Sequence, residues 1–180
     1  MNKKITRPKK LRGTIVPPGD KSISHRALIL NSIAGQTATI KGILESEDIQ
    51  STINCLKQLG VGIDIHNDGS YRVKGRGING LKAADDDLDC GNSGTTIRLL
   101  MGLIASVNGT MRLIGDDSLQ SRPMERVYSL LNKMGANIFS EQSNGCAPII
   151  IEGKQLTTDK TIEMTIASAQ IKSALLLAGL

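Results

Sequence analysis

Apolar and polar residues along this 180-residue chain follow two rhythms that recur in the same order. Ser24 to Ala34 is apolar-rich at a helical period and is closed by Gly35. The alternation Thr37-Ala-Thr-Ile-Lys41 that follows predicts a strand with one buried face. Ser93 to Val107 repeats the helical pattern, and Thr110-Met-Arg-Leu-Ile114, after Gly109, repeats the strand. A third apolar helix is predicted from Ser168 through Ile171-Lys-Ser-Ala-Leu-Leu-Leu177.

Between these segments lies a second recurring pattern. Cys55-Leu-Lys-Gln-Leu-Gly-Val-Gly-Ile63 is followed by polar residues with Asn67-Asp-Gly69, then Tyr71-Arg-Val73 and Gly75. Leu131-Asn-Lys-Met-Gly-Ala-Asn-Ile138, Asn144-Gly145, Ile149-Ile-Ile151 and Gly153 echo it. Each reads as a helix end with Gly on its C-terminal side, then a hairpin. Counted from Ser24, Gly94 and Ser168, the repeat recurs about every 70 residues. The expected fold is α/β, built of β-α-β-α-β-β units: two full units and the start of a third. The run Ala174 to Leu180 is apolar enough to need partners that the chain does not supply, so the natural protein is expected to continue.

Composition narrows the function. Aromatic residues are 2% of the chain, too few for the stacking platforms of single-strand nucleic-acid readers. Lys3, Lys4, Arg7, Lys9, Lys10 and Arg12 crowd the first twelve residues with no acid among them, so the net charge of +5 belongs to a solvated tail rather than to a binding face. Neither nucleic acid nor membrane is an expected partner. Cys55, Cys90 and Cys146 are odd in number and form no C-x-x-C, and His25 and His66 complete no ligand set with them. Neither a zinc site nor a disulfide framework is expected. Reduced thiols, and the lack of a signal-type apolar stretch, point to the cytoplasm.

Gly75-Arg-Gly77-Ile-Asn-Gly80 matches G-x-G-x-x-G, but the acidic Leu81-Lys-Ala-Ala-Asp85-Asp86-Asp87 follows in place of an apolar helix, so it reads as a turn. Asp85, Asp86, Asp87 and Asp89 lack the spacing of a calcium loop and read as solvated. The helix starts carry more information. Lys21-Ser22-Ile-Ser24, Asn92-Ser93-Gly94-Thr95 and Ser168-Ala169-Gln170 each suit simple capping. Occurring at three equivalent repeat positions, with Lys21 and Arg26 beside the first, they point instead to a shared site for an anionic ligand.

The segment Pro18-Gly-Asp-Lys21-Ser22-Ile-Ser24-His25-Arg26-Ala-Leu resembles the opening motif of 5-enolpyruvylshikimate-3-phosphate synthases. Further resemblances follow in family order: Leu88-Asp-Cys-Gly91-Asn92-Ser93-Gly94-Thr95-Thr96-Ile-Arg98, Gly115-Asp-Asp-Ser-Leu-Gln-Ser-Arg122-Pro123-Met124, and Ser168-Ala169-Gln170-Ile-Lys172-Ser-Ala-Leu-Leu-Leu-Ala-Gly179. The resemblance implies two domains of three such units with the active site between them. Residues 1–15 would belong with the second domain, and residues 16–180 would be an incomplete first domain. It implies transfer of the enolpyruvyl group of phosphoenolpyruvate to the 5-hydroxyl of shikimate 3-phosphate, without metal or organic cofactor, by a protein monomeric at full length. By the same resemblance, Lys21 is catalytic and touches both substrates. Ser22, Arg26, Ser168 and Ala169 hold shikimate 3-phosphate. Asn92, Gly94, Thr95 and Arg122 form the phosphoenolpyruvate pocket, and Gln170 touches both ligands. The family often has a second Ser where Ala169 stands, leaving only backbone N–H there. A related family, the UDP-N-acetylglucosamine enolpyruvyl transferases, opens with Lys-Asn and carries a loop Cys. Lys21-Ser22 and Ser118-Leu-Gln-Ser121-Arg122 stand here instead. A non-catalytic phosphate-binding module is the remaining alternative.

Overall fold

The computed structural model describes residues 3, 4, 6–157, 159, 161–164 and 167–180. Helix α1 (Lys21–Ser32) opens where the Asp20 carboxylate accepts the Ile23 backbone N–H at 2.8 Å. It begins three residues before the expected Ser24, because Asp20 and not a serine is the cap. Lys21 and Ser22 therefore lie in the first turn itself. There follow β1 (Thr37–Ile40), α2 (Glu47–Gln58) and the hairpin β2 (Gly62–Ile65) and β3 (Tyr71–Lys74). The second unit runs β4 (Leu88–Asp89), α3 (Gly94–Leu103), β5 (Gly109–Ile114), the single turn α4 (Asp117–Gln120), α5 (Glu125–Lys133), β6 (Ile138–Ser140) and β7 (Ile149–Gly153). Helix α6 (Ala169–Ala178) begins the third.

The two sheets show the repeat directly. One has the order β1-β3-β2 and the other β4-β5-β7-β6, so β5, β7 and β6 stand where β1, β3 and β2 do. Among the described residues the one parallel pair is β4 with β5, joined by the crossover through α3. Both second helices end alike. Gly60 and Gly135 take φ of +90° and +95°, a conformation that glycine adopts without Cβ strain. The next amides, Val61 N–H and Ala136 N–H, reach back to the carbonyls of Leu56 and Leu131.

The first unit departs from expectation in one respect: the described residues contain no strand beside β1 to match β4. In the second unit, Leu88 and Cys90 are fully buried and anchor β4. At the equivalent place Ile15 and Val16 are exposed, and Pro17-Pro18 offer no N–H to a ladder. Helix α3 also stops at Leu103 rather than Val107. The G-x-G-x-x-G segment opens no helix, and Asp85, Asp86 and Asp87 are solvent-exposed, with Asp87 paired to Arg112.

The core is aliphatic. Helix α3 is buried on nearly every side, with Ile97, Leu99, Leu100 and Met101 wholly inaccessible. It packs chiefly against α6, and Gly102 lies so close that a Cβ there would sit 2.0 Å from the Ala174 carbonyl oxygen. Second helices bridge units: α2 touches α3, and α5 touches α6. Helix α6 buries Ile171, Ala174 and Ala178 but leaves Leu176 63% and Leu180 62% exposed. Between α1 and α6 an apolar groove of about 310 Å³ remains, lined by Ile29, Leu30, Leu99, Leu176 and Leu180 among others. None of the described helices is long and apolar enough to cross a membrane.

Candidate active site

Helices α1, α3 and α6 each begin with a side chain that accepts one of the helix's own free amides. Asp20 takes Ile23 N–H, Ser93 takes Thr96 N–H, and Ser168 takes Ile171 N–H. Capping therefore operates at all three starts, and the other first-turn amides have no partner within their own helix.

Side-chain hydrogen bonds tie these starts together. Between α1 and α6, Arg26 Nη2 donates to Ser173 Oγ at 2.9 Å. Between α3 and α6, Arg98 Nη1 donates to Gln170 Oε1 at 3.0 Å, and Gln170 Nε2 donates to Thr95 Oγ1 at 2.9 Å. Helix α1 reaches α3 through α2. Lys21 Nζ lies 2.9 Å from Asp48 Oδ2. His25 Nδ1 is hydrogen-bonded to Thr52 Oγ1 at 2.8 Å, Thr52 to Thr96 at 2.7 Å, and Thr96 to Ser93 Oγ at 2.7 Å.

Gly94 is the first residue of α3. A Cβ on it would sit 2.6 Å from Arg98 Nη1 and 3.4 Å from Arg122 Nη1, so two guanidiniums border this glycine. Arg122 donates to the Asn92 carbonyl at 3.3 Å, to Asn92 Oδ1 and to Ser118 Oγ at 3.1 Å. Asn92 in turn donates to Asp116 at 2.7 Å. That bond, with the Leu119 N–H, holds the Asp116 carboxyl below the usual carboxylate range. Burial lowers the proton affinity of Arg98, and the nearby charges of Arg126 and Arg122 lower it further. A small polar cleft of about 160 Å³ opens between Arg98, Arg126, Ser168 and Gln170.

The described partners of Arg26, Arg98 and Arg122 are carbonyls, amides and hydroxyls, not carboxylates. Positive charge left unneutralised beside helix N-termini is what a small dianion requires. Burial pushes the imidazole of His25 down to about 4, against the pull of Asp48 and with help from Lys21 and Arg26. It is a neutral hydrogen-bonding strut at neutral pH, not a further cation.

All ten candidate residues lie on or beside these three helix starts. Gly94, Thr95 and Gln170 form one hydrogen-bonded group through Arg98, and Asn92 and Arg122 form another that borders Gly94. Ser22 and Arg26 are joined on α1, where the Ser22 carbonyl accepts Arg26 Nη1 at 3.1 Å, while Lys21 in the same turn pairs with Asp48. Ser168 and Ala169 open α6, and the Ser168 hydroxyl is engaged as its cap at 3.4 Å. Arg98, Asp48 and Ser173 were not among the candidates. Arg98 is visible in the sequence as the last residue of the motif Leu88 to Arg98. Asp48 and Ser173 had left no trace, since a first-turn acid and a helix-surface serine are ordinary.

Comparison with known proteins places the chain in a family. Residues 5–180 match the family described as EPSP synthase (3-phosphoshikimate 1-carboxyvinyltransferase). A curated 3-phosphoshikimate 1-carboxyvinyltransferase of Thermodesulfovibrio yellowstonii is 49% identical over all of this chain and 42% of its own length. One from Herpetosiphon aurantiacus is 48% identical over all of this chain and 41% of its own length. The solved EPSP synthase from Acinetobacter baumannii superposes with a TM-score of 0.87 at 42% identity, covering 93% of this chain and 38% of that one. The chain thus spans about two fifths of the length of these relatives. With four motifs in order, a twice-repeated unit and one family matched from residue 5 to residue 180, the chain belongs to the EPSP synthase family.

Proposed function

We propose that this chain supplies one wall of an active site that moves the enolpyruvyl group of phosphoenolpyruvate onto the 5-hydroxyl of shikimate 3-phosphate and releases phosphate. The observation that carries the reading is the set of guanidiniums without carboxylate partners around Gly94 and the tied starts of α1, α3 and α6. Both substrates are anionic, and holding them together requires such charge. Arg122 and the backbone at Gly94 grip phosphoenolpyruvate, with Asn92 and Thr95 shaping the loop. Ser22, Arg26, Ser168 and the backbone at Ala169 hold shikimate 3-phosphate. Lys21 and Gln170 reach both. The reaction proceeds by addition and elimination through a tetrahedral intermediate, and it calls on no metal or organic cofactor. Residues 1–15 pair with a second domain that carries the acid–base groups, which agrees with Leu11, Ile15 and Val16 standing 86%, 88% and 92% exposed. The three unpaired thiols suit a cytoplasmic protein. The names of the relatives favour this substrate pair over a UDP-sugar acceptor.

The test is a phosphate-release assay on the longer protein that contains this chain, with both substrates and then with UDP-N-acetylglucosamine as acceptor. Turnover is expected with shikimate 3-phosphate alone. Lys21→Met should lower it by about 10²-fold or more while the fold holds. Near-normal turnover in that variant, or equal use of the UDP-sugar, overturns the reading.

A further inference from the structure

Lys21 is not free in this structure. Its ammonium is held 2.9 Å from Asp48 Oδ2, across 27 residues of chain and from a different helix. As a first-turn acid of α2, Asp48 has an ordinary structural use, since a carboxylate there suits the helix dipole. Glu47 fills the same turn from a solvent-exposed position, whereas Asp48 is half-buried and turns its carboxylate onto Lys21. The backbone of Asp48 is also braced. Its carbonyl lies within hydrogen-bond reach of Thr52 Oγ1 at 3.4 Å and of Thr96 Oγ1 at 3.3 Å, so that one of the two hydroxyls donates to it. Both threonines are wholly buried, are bonded to each other, and connect to His25 on α1 and to Ser93 at the cap of α3.

We propose that Asp48 is the positioning residue of Lys21: a carboxylate fixed to α1 and α3 by the buried His25–Thr52–Thr96–Ser93 chain, which aims the ammonium at the anionic ligand and yields it when that ligand binds. The proposal rests on the substrate reading above. Two effects of opposite sign follow. Without ligand, Asp48 competes for the Lys21 charge, so it weakens anion binding. During turnover it keeps a flexible four-carbon side chain in one orientation, so it aids the reaction. A residue needed merely for folding has no reason to act in opposite directions on the two.

Two measurements separate this from the function itself. The first is calorimetric titration of inorganic phosphate into the 180-residue chain and its Asp48→Asn variant. That substitution keeps volume and removes charge. Binding is expected to tighten about two- to fivefold, the range that a half-exposed ion pair is worth, and the gain should vanish when Lys21→Met is added. The second is steady-state kinetics of the longer protein. Asp48→Asn should lower kcat about 10- to 100-fold without raising the phosphoenolpyruvate KM, and Asp48→Glu should recover most of the loss. Phosphate affinity that is unchanged, weaker, or undetectable in both chains overturns the proposal. So does an Asp48→Glu variant no faster than Asp48→Asn. If the longer protein does not transfer an enolpyruvyl group, the substrate reading falls and the titration still decides the role of Asp48.

Discussion

Gly94 and His25 show how single side chains set this site from opposite directions, one by what it lacks and one by what it withholds. The Cβ of an alanine at position 94 would press on the ends of Arg98 and Arg122. Guanidinium ends can swing away, so Gly94→Ala should leave the melting midpoint nearly unchanged. The anion pocket should suffer instead, with the phosphoenolpyruvate KM in the longer protein rising about tenfold or more as the arginines shift. An unchanged KM would refute the placement. His25 withholds a charge. Its imidazole is pushed to about 4 when folded and titrates near 6.5 when unfolded. Between those values the unfolded chain binds a proton that the folded chain refuses. The contribution is therefore fully present above about pH 6.5 and is lost as pH falls toward 4, by up to about 3 kcal/mol. Urea unfolding at pH 7.5 and 5 should show that loss, and His25→Asn should flatten the slope across this window. An identical slope in the variant would mean that another group titrates there.

At the scale of elements, the site depends on how closely α3 and α6 approach. A Cβ on Gly102 would stand 2.0 Å from the Ala174 carbonyl, and a backbone atom cannot step aside as a side-chain end can. Gly102→Ala should therefore wedge the helices apart and cost about 1–3 kcal/mol or more. The Arg98–Gln170–Thr95 bonds span the same helix pair, so phosphate binding should weaken with it. Gly35 is the control. Nothing lies within 4 Å of its would-be Cβ and its φ is not positive, so Gly35→Ala should be neutral or stabilising by about 0.4–1 kcal/mol. Denaturant midpoints for the two variants that move together would count against the packing argument.

For the whole molecule, the repeat sets a packing rule between units. Each second helix lies on the first helix of the next unit, α2 on α3 and α5 on α6. Continued by the same rule, the second helix of a third unit would close back toward α1. The groove between α1 and α6, with Leu30, Leu176 and Leu180 exposed at its rim, is the surface such closure would cover. The chain alone should therefore bind a hydrophobic dye and tend to self-associate. It should also fail to turn over. Under the proposed function this chain is one wall of a cleft, which cannot exclude water by itself, and the acid–base groups, which typically contribute about 10²–10⁴-fold, belong to the second domain. Mixing the chain with the polypeptide that completes the longer protein should restore phosphate release and quench the dye. Steady turnover by the chain alone would overturn this view.

The repeat and the α/β class are legible in the amino-acid order because they rest on local signals, and the ten proposed site residues were picked out by motifs that are equally local. Hydrophobic period marks a helix or strand, glycine after a periodic run marks its end, and motifs are read from neighbours in the chain. The errors were local too. The apolar period marks α1 only from Ser24, whereas its cap is Asp20. A leading strand was expected for the first unit, but strand formation needs a partner edge and a buried face, and neither is a property of residues 13–16. What the chain order could not hold were relations between distant positions. Nothing near Lys21 announces Asp48, nothing near Gln170 announces Arg98, and Thr52 is one threonine among many until Thr96 meets it in the core. The Gln170–Arg98 and Thr52–Thr96 pairs exist because packing α3 against its neighbours removes water from their hydroxyls and guanidinium, and a buried polar group must then find its partner within the fold.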